Sequence, residues 1–417
     1  MTNQKAMTPL QSSSFQYIDT DAGLKALIIQ LDQAERVAID TEADSLHHYF
    51  EKVCLIQLSF HGHDYLIDPL SKIDLSNFLD VLSTKSLIIH GADYDLRMLR
   101  TSFGFRPQCE VFDTMLAAQM LGYEQFGLAA LIQRYLDTTV TKQGQKSDWS
   151  LRPLSPMQLD YAYTDTRFLE TIANRMGAEL DTVGRCEWHR ETCKAMVIST
   201  ERDTQRDPDD AWRIKHIGQL TRQQLAFLRE LWHWRDQEAR QADRPPFKIL
   251  NNQHLFALTT LAGSQTDQPL TNDAQLPRHI NGRRLELLKA AIQKAAALPE
   301  HEWPQQKKRI KSKHADPNDV QDIDALRDAC SKIAKELGIT ASVLAPRAAI
   351  KSIICAGAKT MEEIMAHGPL LRWQATLLEP AVTRIILARE QREKSQNVVT
   401  AAPMPSSPPP AIDVTEP

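Results

Sequence analysis

The chain has 417 residues and a formal net charge of −4, enough length for two to four domains but no uniform positive field to draw nucleic acid to the whole surface. Its 15 glycines lie well below the usual share of about 7%, so a helix-rich protein is expected. No run approaches the roughly 20 apolar residues of a membrane span, the opening MTNQKAMTPLQSSS lacks the apolar core of a signal peptide, and the six cysteines form no CxxC pair. The expectation is a cytoplasmic protein with reduced thiols, no membrane partner and no zinc site.

In chain order, residues 1–14 read as a flexible N-terminus. The β-branched runs Val37 to Asp40, Val53 to Ser59 and Tyr65 to Ile67 then predict a three-stranded antiparallel meander, with His61, Gly62 and His63 turning between the last two. Helical spacing around Leu75 to Leu82, an apolar strand at Ser86 to His90 and a helix from about Asp93 to Thr101 continue it as α/β alternation. Beyond Asp113 strand signals fade, and DTMLAAQML, GLAALIQRYL and SPMQLDYAYTDTRFLETIANRM carry apolar residues at helical spacing. An α/β domain is thus assigned to 15–200. A helical unit at 212–298 follows, its amphipathic segments flanking the loop DRPPF. Residues 299–319, punctuated by proline and containing the basic run KKRIKSK (Lys307 to Lys313), read as a linker. A second helical unit occupies 320–392, and the proline- and serine-rich stretch 393–417 has too little apolar surface to offset its ordering entropy, so a disordered tail is expected. RDQEARQADRPPFKILNNQHLFAL and RDACSKIAKELGITASVLAPRAAIKSI form a faint internal repeat that pairs Ile249-Leu250 with Val343-Leu344 and drifts by about a residue beyond.

Three places combine acids with a defined local geometry. In VAIDTEA, Asp40 and Glu42 sit two apart on a strand and project from one face. Side by side they repel unless a cation lies between them; alone, the pair also suits a solvated strand end. In IIHGADYDLRML, a strand gives way to a helix near its carboxyl end, where α/β folds place their sites; Asp93 suits an N-cap and Asp95, in the first turn, a ligand. In SPMQLDYAYTDTRFL, Ser155 with Gln158 makes a capping box and Pro156 takes the first helical position, so Tyr161 and Asp165, four apart, share a face.

Taken together, these segments resemble the 3'-to-5' exonucleases that carry four acids and a tyrosine, in their ribonuclease D branch. That family's D-x-E, H-x-x-x-x-D-L and Y-A-x-x-D-x-x-x-L motifs appear here as VAIDTEA, HGADYDLRML and YAYTDTRFL, and VCLIQLS, VFDTMLAAQML and KSDWSLRPLSPMQLDYA resemble its connecting pieces. The resemblance covers roughly Phe15 to Ala195. It implies a ribonuclease H-like exonuclease domain, a mixed sheet flanked by helices, with Asp40, Glu42, Asp95 and Asp165 as metal-binding acids and Tyr161 as the catalytic tyrosine. It also implies two divalent ions, Mg²⁺ or Mn²⁺, and release of nucleoside 5'-monophosphates from a free RNA 3' end, with tRNA precursors as the expected substrate. WRDQEARQADRPPFKIL is similar to the helicase-and-ribonuclease-D C-terminal (HRDC) domain, and 320–392, which lacks the paired prolines, to a divergent second copy. The expected architecture is therefore an α/β exonuclease domain followed by all-α HRDC-type domains; the sequence leaves the oligomeric state open, with a monomer favoured.

Two ions about 3.5–4 Å apart would acidify a water and stabilise the leaving oxygen of a phosphodiester, and carboxylates are the donors such hard cations prefer. On this reading Asp40, Glu42 and Asp165 hold one ion, and Asp40, alone or with Asp95, the other. Tyr161 orients the attacking water, since a free phenol, with a pKa of about 10, is a poor base at neutral pH. Asp113 is expected to cap a helix. Lys146, Trp149 and Arg152, in the loop before the third motif, are candidate contacts to phosphate and base. No residue reads a 2'-hydroxyl recognisably, so RNA and DNA stay undivided by the residues themselves.

Overall fold

The computed structural model describes residues 15–141, 143–201, 207, 209–215, 217–264, 276–306 and 317–400. They fall into two compact units that divide after Arg309. The first opens with β1 (Phe15–Ile18), α1 (Asp21–Asp32), β2 (Arg36–Ala43), β3 (Val53–Phe60), β4 (His63–Ile67), α2 (Ser76–Ser83), β5 (Ser86–Ile89), α3 (Asp93–Phe103) and β6 (Val111–Asp113). Helices α4 (Thr114–Met120), α5 (Leu128–Leu136), α6 (Pro156–Arg167), α7 (Leu169–Thr182) and α8 (Cys186–Glu201) complete the α/β part. The six-stranded sheet runs β1-β4-β3-β2-β5-β6. The expected meander is present as β2, β3 and β4, antiparallel in sequence, while β1 on β4, β5 on β2 and β6 on β5 are parallel. The sheet is therefore mixed. Short strands β1 and β6 lack a legible alternation and emerge only from their pairing.

Strand alternation divides the core. Val37 and Ile39 of β2, Ile56 and Leu58 of β3 and Leu87 and Ile89 of β5 pack against α1, α2 and α3. The intervening residues face the other way: Ala38 and Ile88 meet Leu169 and Ala173 of α7, and Leu55 and Leu66 meet Ala162 and Tyr163 of α6 with Trp149. Helix α6 begins where the sequence predicts, with both hydrogen bonds of the Ser155/Gln158 capping box formed and Pro156 at its start. Asp113 caps α4 through the N–H groups of Met115 and Leu116.

The helical part of the first unit comprises α9 (Arg222–Gln241), α10 (Pro246–Ile249), α11 (Asn252–Ser264) and α12 (Gly282–Ala296), packed around Leu228, Leu231, Trp234, Leu255 and Leu288. Residues 299–306, expected as free linker, instead pack on it: Arg222 donates to the carbonyls of Glu300 and Trp303, and the Trp303 indole donates to Leu298 at 3.0 Å. An indole and two outward carbonyls gave this stretch partners that its prolines concealed. The run KKRIKSK lies outside the described residues.

The second unit comprises α13 (Pro317–Leu337), α14 (Ala341–Leu344), α15 (Arg347–Ala356), α16 (Met361–His367) and α17 (Arg372–Thr400). Its α13-α14-α15 order repeats α9-α10-α11: a long helix, one four-residue turn, another helix. The residues that close the two turns share a conformation, φ −155 and ψ 119 at Leu250 and φ −154 and ψ 126 at Ala345. Ile249-Leu250 therefore matches Leu344-Ala345, one residue on from the pairing drawn from sequence, and all four are buried. The terminal helix, which carries Pro380 within it, also runs to Thr400, eight residues into the segment expected to be disordered, and meets no further proline or glycine between Pro380 and Pro403. Among the described residues, no helix is long and apolar enough to cross a membrane.

Candidate active site

Asp40 and Glu42 lie near the end of β2, a central strand, on the face covered by α6; Asp165 comes down from α6 onto them. One carboxylate oxygen from each of the three lies within 4.8 Å of the others. A register shift in the β2–β3 pairing falls at Glu42 and Ala43, a bulge of the kind that re-aims side chains beside sites. Asp95 stands outside this trio. Thr41, between the two acids, points to the opposite face, and its N–H and hydroxyl donate to Asp95 Oδ1 at 3.1 and 2.6 Å. One strand thus presents two acids to one side and anchors a third from the other. Thr41 escaped the sequence reading, although alternation alone would have set it apart from its neighbours.

The carboxylates act on one another. Burial first, then the charges of Asp95, Asp165 and Glu42, pushes Asp40 well above the ordinary carboxylate range. Glu42 is raised in the same way, by burial and then by Asp165 and Asp95. Asp165 is pushed up to about 7 by burial, against a hydrogen bond from Tyr161 and with Asp95 adding. Asp95 reaches about 6, burial outweighing the donors of Thr41. Burial, followed by the charges of Asp165, Glu42 and Asp40, holds the Tyr161 phenol protonated far beyond its usual range. All-oxygen donors that are costly to ionise together fit hard divalent cations, whose charge would reverse each of these shifts.

Tyr161 is fixed from two sides. Its ring lies 6.1 Å from that of Trp149, and Gly144, at φ +114, lies against it so closely that a Cβ there would sit 3.0 Å from Tyr161 Cβ. Only glycine suits both that backbone conformation and that gap. The loop after β2 is held as firmly. Buried Asp44 pairs with Lys52, and beyond it His48 Nδ1 meets Asp243 Oδ2 at 2.7 Å while His48 Nε2 meets Ser150 at 2.9 Å. Tyr49 donates its N–H to Asp243 at 3.1 Å and its hydroxyl to Asp236 at 3.0 Å. The end of α9 and the turn after it therefore grip the segment that follows the two β2 acids.

Several expectations are corrected. Trp149 is 1% exposed, so its ring is core and not a platform for a base. Arg152 is consumed by Asp68, at 2.6 and 2.7 Å, and by the carbonyls of Trp149, Leu151 and Cys54. Of the three loop residues only Lys146 has an exposed side chain, its carbonyl lying 3.2 Å from His47 Nε2. Asp93 does not cap α3. Ala92 holds that position, Asp93 pairs with Arg97, and Asp113 accepts the N–H groups of Gly91 and Ala92 at 3.1 and 2.8 Å. Asp113 thereby serves two helix starts, the second role being invisible in sequence because it crosses from β6 to β5.

Residues 15–181 match the 3'-5' exonuclease family and residues 224–268 the HRDC domain. Ribonuclease D of Pseudomonas paraeruginosa is 29% identical over 359 residues, 85% of this chain and 91% of that protein. Ribonuclease D of Escherichia coli is 28% identical over 346 residues, 82% of this chain and 90% of that one. The crystal structure of the Escherichia coli enzyme, described as an exoribonuclease involved in structured RNA processing, superposes with a TM-score of 0.68 at 26% identity over 90% of this chain and 99% of that chain. A protein from Bifidobacterium adolescentis gives a TM-score of 0.75 at 25% identity, over 89% and 96%.

Proposed function

We propose that this chain, which belongs to the ribonuclease D family of 3'-to-5' exonucleases, trims the 3' ends of structured RNA such as tRNA precursors with Asp40, Glu42, Asp95, Tyr161 and Asp165 as its working residues. It is a 3'-to-5' exoribonuclease. The observation that carries the assignment of residues is the convergence of Asp40, Glu42 and Asp165 within 4.8 Å from a strand and a facing helix.

Asp40, Glu42 and Asp165 are the ligand set for one divalent ion, and Asp40 with Asp95 the set for a second, as Mg²⁺ or Mn²⁺. Bound there, such ions supply the positive charge that acidifies a water and steadies the leaving 3' oxygen. The chain's own residues do the rest. Thr41 keeps Asp95 turned toward the β2 acids. Tyr161, protonated at working pH, is a donor and acceptor that orients the attacking water and takes no part as a base. Lys146 is exposed in the loop that carries Gly144 against Tyr161, and offers a cation to a backbone phosphate. The HRDC match, and the repeated layout in 320–392 read as its divergent second copy, supply helical modules that grip the RNA body.

The test is digestion of a 3'-extended tRNA in Mg²⁺ or Mn²⁺ beside DNA of the same sequence. Nucleoside 5'-monophosphates shed from the RNA 3' end are expected; a strong preference for the DNA would overturn the substrate assignment.

A further inference from the structure

Gln57 is 0% exposed, and neither its Nε2 nor its Oε1 has a hydrogen-bond partner. A carboxamide shut from water with both ends unpaired is a cost to folding that an apolar side chain of similar length would not carry. Its position gives the amide a purpose. In the β2–β3 register Gln57 lies directly opposite Asp40, and such residues project from the same face with Cβ atoms about 4.5–5.5 Å apart. The neighbours identify that face: Ile56 and Leu58 belong to the α1–α3 cluster, whereas Leu55, and Leu66 opposite Gln57 on β4, pack with Ala162 of α6. Gln57 therefore stands under α6 beside the carboxylate on which the charges of all three other acids act.

We propose that Gln57 is a positioning residue for the metal site, donating a carboxamide N–H to the Asp40 oxygen turned away from the ions. The inference rests on the reading of Asp40, Glu42 and Asp165 as ligands. An ionised Asp40 only accepts hydrogen bonds, and Gln57, 0% exposed, is the carboxamide that stands directly opposite it across β2 and β3. A lysine or arginine at position 57 would satisfy that oxygen and at the same time compete with the metal for the acid. A leucine would leave it bare. A neutral amide donates without competing. Groups that hydrogen-bond a metal-binding carboxylate commonly change metal affinity by about 10–100-fold when lost.

The test compares wild type, Gln57→Met, Gln57→Leu and Asp40→Ala by Mn²⁺ titration calorimetry and by thermal melting in EDTA. Both Gln57 variants are expected to melt in EDTA at or above the wild-type temperature, since each removes an unpaired buried amide, yet to bind Mn²⁺ at least tenfold more weakly. Mn²⁺ affinity within twofold of wild type in a folded Gln57 variant overturns the proposal and leaves the ligand reading standing. If instead wild type binds no more tightly than Asp40→Ala, both fail together. A measurement on the unaltered chain covers the case where neither variant folds. With ¹⁵N-glutamine labelling, adding Mg²⁺ should shift one side-chain amide pair downfield in wild type, and no shift of any such pair overturns the proposal.

Discussion

On one face of the sheet, β2 and β3 present Val37, Ile39, Ile56 and Leu58 to α1, α2 and α3; on the other, the same two strands present Asp40, Glu42 and Gln57 to α6. The two faces differ by a single step along each strand. The apolar face has what a sheet needs for stability, close burial of hydrocarbon, with Thr41 at its end paired to Asp95. The acidic face has what a sheet should avoid, carboxylates crowded under a helix and raised in pKa by burial and by each other. The difference shows how an α/β domain can carry a site that opposes its own folding: burial on one side offsets the charge held on the other, and a bound cation would reconcile that charge.

Substitutions on the two faces should therefore fail in opposite ways. Asp40→Ala or Asp165→Asn is expected to lower hydrolysis on the order of 10³-fold while raising the melting temperature in EDTA. Leu58→Ala, at a position with 0% exposure, should cost about 2–5 kcal/mol of stability yet leave the rate per folded molecule near wild type. Paired melting curves and single-turnover assays check both. A rate loss in Leu58→Ala as large as in Asp40→Ala would dissolve the distinction between the faces.

The next effect belongs to Tyr161. Tyr161→Phe keeps the ring against Trp149 and Gly144 and removes only the hydroxyl, so kcat should fall roughly 10²-fold with little change in KM. Gly144→Ala should fall in the same direction through displacement of the ring, because the added Cβ meets Tyr161 at 3.0 Å and the backbone is strained at φ +114. An unchanged kcat in both variants would remove Tyr161 from the chemistry.

The acids also make stability depend on pH. Asp165, at about 7 folded against 3.8 as its ordinary value, is held protonated by the fold. Its contribution is complete below about pH 4 and is lost as pH rises through about 7. In EDTA the wild-type melting temperature should therefore drop relative to Asp165→Asn across that window, and saturating Mn²⁺ should cancel the drop. A flat difference between the two proteins would mean that Asp165 is ionised without metal.

The acid cluster and the helix that carries Tyr161 and Asp165 were legible because their signals are local: a two-residue spacing on a strand, a capping box, a four-residue spacing on a helix. Partners drawn from elsewhere in the chain were not. Thr41 holds Asp95 across 54 residues, Arg152 is consumed by Asp68 across 84, and Asp113 reaches back to β5. Trp149 and Arg152 illustrate the same limit, since an aromatic and a cation in a loop look identical in sequence whether they face solvent or the core. Gln57 reads as one more strand residue until the register sets it opposite Asp40.

A smaller effect should arise where the helical part of the first unit touches the acidic face. Asp243 accepts from the N–H of Tyr49 and meets His48, and through His48 the contact continues to Ser150 in the loop before α6. Asp243 is 47% exposed, so replacing it with alanine should change global stability by no more than about 1 kcal/mol. Its consequence should be local instead, because the segment it releases follows directly on Asp40 and Glu42, and Ser150 lies one residue from Trp149 beneath Tyr161. Asp243→Ala is therefore expected to lower kcat a few-fold on a full-length RNA while the melting temperature stays near wild type, and hydrogen exchange should rise in 45–50 more than in β3. Should exchange in 45–50 be unaltered, α9 would be a neighbour of the site with no hold on it, and the acidic face would owe its geometry to the sheet and α6 alone.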